Sequence, residues 1–342
     1  MTFHYFNPDH EIAMAMNAGR YSVPLAARRM REQYDYLPAL WARTADTVIV
    51  EDVASAQEKY ASVELAMRSN PTFITLNELP AMLDGKRIVD IYPWGWDKAI
   101  WQKLRDAGMK EEHMPTIRQL NKIRNLSHRA LAVRLLDTLK EHEGITGFSR
   151  LCDTYEEALL FLDRNKDVHI KSPWSSSGRG VKHLNAETVT ENELQWIANT
   201  IEKQHSVIAE VTCKKVMDFA VLFVANKIGT VRYHGLSIFQ THNGAYCGNL
   251  LASDKEKKEM ICTYIQSALL KAVTEKIEQF LTEHIGGAYH GPMGVDMMVC
   301  ESDKEGEYLL NPCVEINMRR TMGHVALALA RRGQRGVFKL TN

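Results

Sequence analysis

The densest chemistry lies near the C-terminus. Glu315, Asn317 and Arg319 alternate along Val314-Glu315-Ile316-Asn317-Met318-Arg319. Side chains alternate across a strand, so the three share one face. An earlier apolar run, Val295-Asp296-Met297-Met298-Val299, carries one acid. Folded back about the polar segment 302–307, the two strands place Asp296 opposite Glu315, with Asn317 diagonal to it and the turn centred between Glu305 and Gly306. Facing carboxylates repel unless a cation lies between them. Carboxylate and amide oxygens suit Mg²⁺, which substrate phosphates usually help to hold. A half-exposed sheet face on which the acids pair with Arg319 and Arg320 accounts for the same pattern.

Two more clusters precede this one. Val168-His169-Ile170-Lys171 reads as a strand delivering Lys171 to its end, followed by Ser172-Pro173-Trp174-Ser175-Ser176-Ser177-Gly178-Arg179-Gly180. Small residues let backbone donors approach phosphate oxygens, and Lys adds a point charge. A surface loop with a solvated Lys is the plain alternative. The spacing is neither GxxxxGK[ST] nor GxGxxG, so P-loop and Rossmann readings fail. Glu210 stands near the end of the strand-like run 207–211, with Asp218 eight residues later. Alone, both read as strand-end charges.

In this order and spacing the clusters resemble the ATP-grasp superfamily over roughly residues 126–325, in the motif style of biotin carboxylase, carbamoyl-phosphate synthetase and D-alanine–D-alanine ligase. Glu315-Ile316-Asn317-Met318-Arg319 is the most specific part. The resemblance implies that Lys171 contacts the α- and β-phosphates and that Arg129 stands where the family has a second phosphate-binding lysine, with Arg134 as fallback. It implies a lid made of Ser175, Ser176, Ser177, Gly178, Arg179 and Gly180. Glu210 and the backbone at Val211 and Cys213 line the adenine edge, and Asp218 takes the ribose. Asp296, Glu315 and Asn317 hold one or two Mg²⁺ ions, with Mn²⁺ as an alternative. Arg319 stabilises the transferred phosphoryl group or the tetrahedral intermediate.

The elements that must carry these residues divide the 342-residue chain. Residues 1–125 alternate short strands (3–6, 47–50, 73–76, 87–92) with helical patterns (25–41, 53–69, 96–107), which argues for a parallel α/β sheet. The basic, polar stretch 118–127 reads as a boundary. After it the pattern is α+β: a helix at 128–142, capping boxes at Thr154/Glu157 and Thr190/Glu193, one long helix at 255–284, and a closing helix at 323–331. With the resemblance, the pattern implies an N-terminal parallel-sheet α/β domain followed by an ATP-grasp fold of two α+β subdomains, 126–210 and 211–342. Asn7-Pro8-Asp9-His10-Glu11 ends the first strand. Capping of a helix by Asn7 is slightly preferred there over contact of Asp9, His10 or Glu11 with substrate. Trp94 and Trp96 read as core, and His324 as equally a packing or a site residue.

Composition narrows the class. The 42 basic and 42 acidic residues cancel, so no global field favours nucleic acid or membrane. Six scattered cysteines without a CxxC argue against a disulfide framework and for a reducing cytoplasm. No signal peptide and no apolar run long enough for a bilayer is evident. The family resemblance implies an ATP- and Mg²⁺-dependent ligase that joins a small carboxylate to an amine through an acyl phosphate. A small-molecule phosphotransferase on the same fold, or a non-catalytic nucleotide-binding protein, stays open as the alternative. The substrates are not legible, and the oligomeric state is open, a homodimer included.

Overall fold

The computed structural model describes residues 1–64, 68–86, 88–175, 180–242 and 245–340. Among them, three sheets follow one another along the chain. The first is parallel, with β1 (Thr2–Tyr5), β2 (Thr47–Ile49), β3 (Thr72–Ile74) and β4 (Asp90–Pro93) in the order β3-β2-β1-β4. The short central strand β1 buries Phe3, His4 and Tyr5 between helix layers, so it is apolar rather than alternating.

The second sheet is antiparallel: β5 (Ser149–Cys152), β6 (Asp167–Lys171), β7 (Val181–Asn185) and β8 (Val207–Val211), in the order β5-β8-β6-β7. It has its own core, with Phe161, Val168, Ile170, Ile197 and Val207. The third sheet runs β13-β12-β9-β10-β11-β14, from β9 (Lys215–Ala225), β10 (Val231–His242), β11 (Ala245–Leu251), β12 (Gly291–Glu301), β13 (Tyr308–Asn317) and β14 (Gly336–Phe338). Helix Ser267–Ile285 buries Leu270, Val273, Ile277 and Leu281 in the same core as Phe219, Phe223 and Val295. The first and third sheets are joined through shared cores. Val325 and Leu329 of helix Met322–Arg331 pack with Phe6, Val48 and Trp94. At that seam the Arg320 N–H donates to Trp94 O at 2.9 Å, bringing the end of β13 beside the end of β4.

Several expected elements differ. The stretch 118–127, read as a boundary, is helix Ile117–Leu126, opened by a Thr116/Gln119 capping box and burying Leu120, Ile123 and Leu126. The helix expected over 25–41 stops at Tyr34, because Pro38 leaves only the 3₁₀ turn Leu37–Leu40. The single helix expected over 255–284 is two, Asp254–Ile261 and Ser267–Ile285. Asn7 is not a helix cap. The N-cap position falls on Asp9, which makes no side-chain cap bond.

The β12–β13 hairpin holds the expected pair by an unexpected route. Asp296 faces Glu315, and Gly294 faces Asn317. Yet Met298 faces Asn311 and Glu301 faces Tyr308, so between the Asp296–Glu315 and Met298–Asn311 pairs one residue of β12, Met297, opposes three of β13. The turn is therefore centred between Lys304 and Glu305, one residue before the expected position, with Gly306 at φ 78°. A bulge around Pro312, Cys313 and Val314 restores the carboxylates to one another.

Candidate active site

The structure brings Asp296, Glu315, Asn317, Arg319, Arg129 and Lys171 to one region where the three sheets meet. Asn317 Nδ2 donates to Asp296 Oδ2 at 3.0 Å, as the diagonal pairing requires. Burial, and then the neighbouring Glu315, push the Asp296 carboxyl from 3.8 up to about 7. An acid so raised is in place to ionise when a cation arrives. Among the described residues no group of three or more His, Cys, Asp and Glu side chains forms a metal cage. Two carboxylates and one amide oxygen instead match the partial shell of a Mg²⁺ ion completed by phosphates.

Arg129 precedes helix Ala130–Leu139, whose Leu131, Leu135, Leu136 and Leu139 are buried. The Arg129 side chain is itself buried. Its Nη2 donates to Glu315 Oε1 at 2.7 Å, and its Nη1 donates to Ser175 Oγ at 2.7 Å and to the Ser172 carbonyl. Nε has no partner among the described residues. The fallback Arg134 is exposed and meets His284, so it is not part of this group.

Lys171 ends β6. Its Nζ donates to Glu210 Oε2 at 2.8 Å and reaches Val314 O, in the bulge, at 3.5 Å. Both side chains of this ion pair are 8% exposed. Neither group is a solvated strand-end charge. Trp174 anchors the next segment, its Nε1 donating to Arg124 O at 3.0 Å while the Arg124 guanidinium lies 3.5 Å over the ring. Ser172 N donates to Gly180 O at 2.8 Å, which pinches the loop at its neck. Of the expected lid, Ser176, Ser177, Gly178 and Arg179 lie outside the described residues.

On the expected adenine side the fit is partial. The Val211 N–H donates to Phe148 O at 2.9 Å, which leaves the Val211 carbonyl as the backbone group for an adenine edge. Cys213 is half-buried, and a hydrogen bond from Cys300 holds its thiol below the usual range. Asp218 accepts from Lys215 Nζ at 2.7 Å and Thr241 Oγ1 at 2.8 Å, and its charge adds to the rise at Asp296.

Arg319 donates through Nε to Glu11 and through Nη1 to Arg320 O at 3.0 Å. Burial alone would raise the Glu11 carboxyl, but Arg319 holds it below the usual range. One cleft is lined by His10, Glu11, Arg129, Ser175, Glu315, Asn317 and Arg319. An adjoining recess of about 180 Å³ is lined by Asn7, Asp9, Tyr21, Arg31, Asp97 and Lys103. Sequence reasoning missed Asp97 and Arg31. Asp97 binds Asn7 and His10, and Arg31 Nη2 donates to Asp9 Oδ1 at 2.5 Å. His324 is buried against Thr321, Nδ1 taking the Thr321 N–H at 3.2 Å, and does not line the cleft. Trp94 and Trp96 are core, as expected. Among the described residues no helix is long and apolar enough to cross a membrane.

No family model and no curated protein sequence matches the chain. Solved structures do. Biotin carboxylase of Campylobacter jejuni, in its beta-gamma-ATP complex, superposes with a TM-score of 0.53 at 10% identity, covering 97% of this chain and 71% of that one. Pyruvate carboxylase of Rhizobium etli gives 0.53 at 14% identity, over 95% of this chain and 27% of that one. The biotin carboxylase domain of the 2-oxoglutarate carboxylase of Hydrogenobacter thermophilus, a dimer with MgADP, ADP and bicarbonate, gives 0.51 at 12% identity, over 85% and 65%. At these identities the likeness speaks to the fold. What the likeness shows is the shared architecture of a parallel α/β sheet followed by two antiparallel sheets.

Proposed function

We propose that the chain is an ATP- and Mg²⁺-dependent ligase that joins a small carboxylate to an amine through an acyl phosphate, releasing ADP. The observation that carries this reading is the Asp296–Glu315 pair: two registered carboxylates, one raised to about 7, beside Asn317, with Glu315 and Asn317 lining one cleft with Arg129 and Arg319. The presence of nucleotide, MgADP and bicarbonate in the solved structures of the same fold supports it. Chain boundaries for the three units, near 125 and 210, belong to the same proposal.

Mg²⁺ held by Asp296, Glu315 and Asn317 supplies charge neutralisation for phosphoryl transfer. Lys171 and Arg129 are the residues for phosphate oxygens. Each now faces a carboxylate, Glu210 or Glu315, whose place a phosphate partly takes. Glu210 and Asp218 serve the nucleoside. Arg319 steadies charge on the transferred group, and the segment from Ser175 to Gly180 excludes water that would hydrolyse the acyl phosphate.

The test is ADP release with Mg²⁺ across amino acids, peptides and small carboxylates. Release only when acid and amine are both present establishes ligation. Release with the acid alone and a stable phosphorylated product favours a phosphotransferase.

A further inference from the structure

Two segments 87 residues apart are built into one unit around His10. The His10 Nδ1 lies 3.0 Å from Asp97 Oδ2, and the two side chains are 3% and 2% exposed. Asp97 is itself fixed. Its Oδ1 caps Ile100 N at 2.8 Å, and Oδ2 also accepts from Asn7 Nδ2 at 3.1 Å. Asn7 clasps the next strand end as well, donating to Gly95 O at 2.9 Å and accepting from Gly95 N at 3.3 Å. The imidazole lies flat on Gly95, where an added Cβ would sit 2.6 Å from the ring atoms. Any side chain at 95 would expel the ring. The motifs Asn7-Pro8-Asp9-His10-Glu11 and Tyr92-Pro93-Trp94-Gly95-Trp96-Asp97 thus hold one imidazole in one orientation.

That orientation has a chemical consequence. A carboxylate accepts, so Nδ1 carries the proton and Nε2 carries the lone pair. Among the described residues the ring's hydrogen bond is the one at Nδ1. The ring lines the cleft that also holds Glu11, Ser175, Glu315 and Arg319. The charged groups around it are Asp97 at Nδ1, Glu11 next in the chain, and Arg319, which is paired with Glu11. An imidazole held in one orientation by a carboxylate, at the wall of a cleft that carries charged groups, is the arrangement of a general base.

We propose that His10 is the base of the ligation step, with Asp97 as its positioning residue. This rests on the ligase reading above and adds the group that handles the proton. The nitrogen lone pair of a primary amine attacks the acyl carbon of the acyl phosphate. The C–N bond forms, and the C–O bond to phosphorus breaks, its electron pair leaving on inorganic phosphate. The surplus proton on nitrogen passes to Nε2 of His10 and then to solvent.

The experiment compares two nucleophiles on the acid that supports ADP release in the carboxylate panel: a primary amine from the amino-acid panel and hydroxylamine. Hydroxylamine is largely unprotonated at neutral pH and traps acyl phosphates with little help from a base. In His10→Gln the amine-dependent rate should fall by about 100-fold or more, the usual contribution of a general base, and the hydroxylamine-dependent rate by far less. Equal falls with both nucleophiles, or none with either, overturn the assignment while leaving the ligase reading standing. A wild type that releases no ADP with any acid and hydroxylamine overturns the ligase reading itself, and His10 with it. Should His10→Gln fail to fold, imidazole ¹⁵N spectra of the wild type decide. Protonated Nδ1 with unprotonated Nε2 at His10 is expected, and the opposite tautomer overturns the proposal.

Discussion

Arg129 and Glu315 lie 186 residues apart and meet at 2.7 Å, while the same guanidinium holds Ser175 at 2.7 Å. One side chain thus ties the neck of the expected phosphate loop to the carboxylate expected to bind metal. Arg129 screens Glu315 here, and the proposed mechanism requires that a cation at Glu315 release it toward a phosphate. Arg129→Ala should weaken ATP binding by about tenfold or more, from the loss of a charge-assisted contact. It should also leave Glu315 and Asp296 facing each other unscreened. Mg²⁺ should therefore raise the melting temperature of the variant more than that of the wild type. Equal Mg²⁺ shifts would show that Arg129 and the metal do not compete for Glu315.

Lys171→Ala removes the proposed phosphate contact and strands Glu210 in a buried place. About tenfold or greater loss of ATP affinity by calorimetry is expected, with a stability loss on the order of 1–3 kcal/mol. Lys182 is the control. It stands on β7, with its Nζ 5.6 Å over the Trp196 ring, and its replacement by Ala should barely change either quantity. Unchanged ATP affinity in Lys171→Ala would remove the phosphate role.

The raised Asp296 carboxyl makes a pH signature. Folded, it keeps its proton up to about 7; unfolded, only to about 3.8. Between these values the folded state binds more protons, so stability falls as pH rises. The contribution is fully present below about 3.8 and lost as pH passes about 7, a swing on the order of 4 kcal/mol at 1.36 per unit. Melting without Mg²⁺ should show this limb in the wild type and lose it in Asp296→Asn, which should be the more stable of the two at pH 8. Parallel profiles for the two proteins would contradict the burial and pairing of Asp296. Mg²⁺, which favours the ionised pair, should bind more tightly as pH rises through 7.

Gly180 closes the neck of the loop, and a Cβ there would stand 2.2 Å from the Ser175 side chain. Gly180→Ala should push Ser175 off Arg129 and weaken ATP binding with little change in melting temperature. Wild-type affinity in that variant would separate the neck from nucleotide binding.

The parallel sheet followed by antiparallel pairs was legible in the sequence, and so was the facing of Asp296 and Glu315. Alternation on β13 and the repulsion of two acids were enough to pair Asp296 with Glu315. The assumed regular ladder was not what produced that pairing. A ladder drawn from the observed Glu301–Tyr308 pair would set Asp296 opposite Cys313, and only the bulge at 312–314 corrects it. Bulges leave little trace in a pattern of alternating residues, although Pro312 was a hint. Helix Ile117–Leu126 was hidden by its charges, although Leu120, Ile123 and Leu126 keep helical spacing behind the Thr116/Gln119 box. Asn7, His10, Gly95 and Asp97 were opaque for another reason. Their contacts span 87 to 90 residues, and only the pairing of β1 with β4 brings them together.

Mg²⁺-dependent ADP release by Glu315→Gln tests the whole reading most directly, because the change removes one charge and almost no volume from the centre of the site. Loss of Mg²⁺-dependent turnover, with the melting transition preserved, is the expected result. Turnover equal to the wild type would contradict the metal site and, with it, the proposed ligase mechanism.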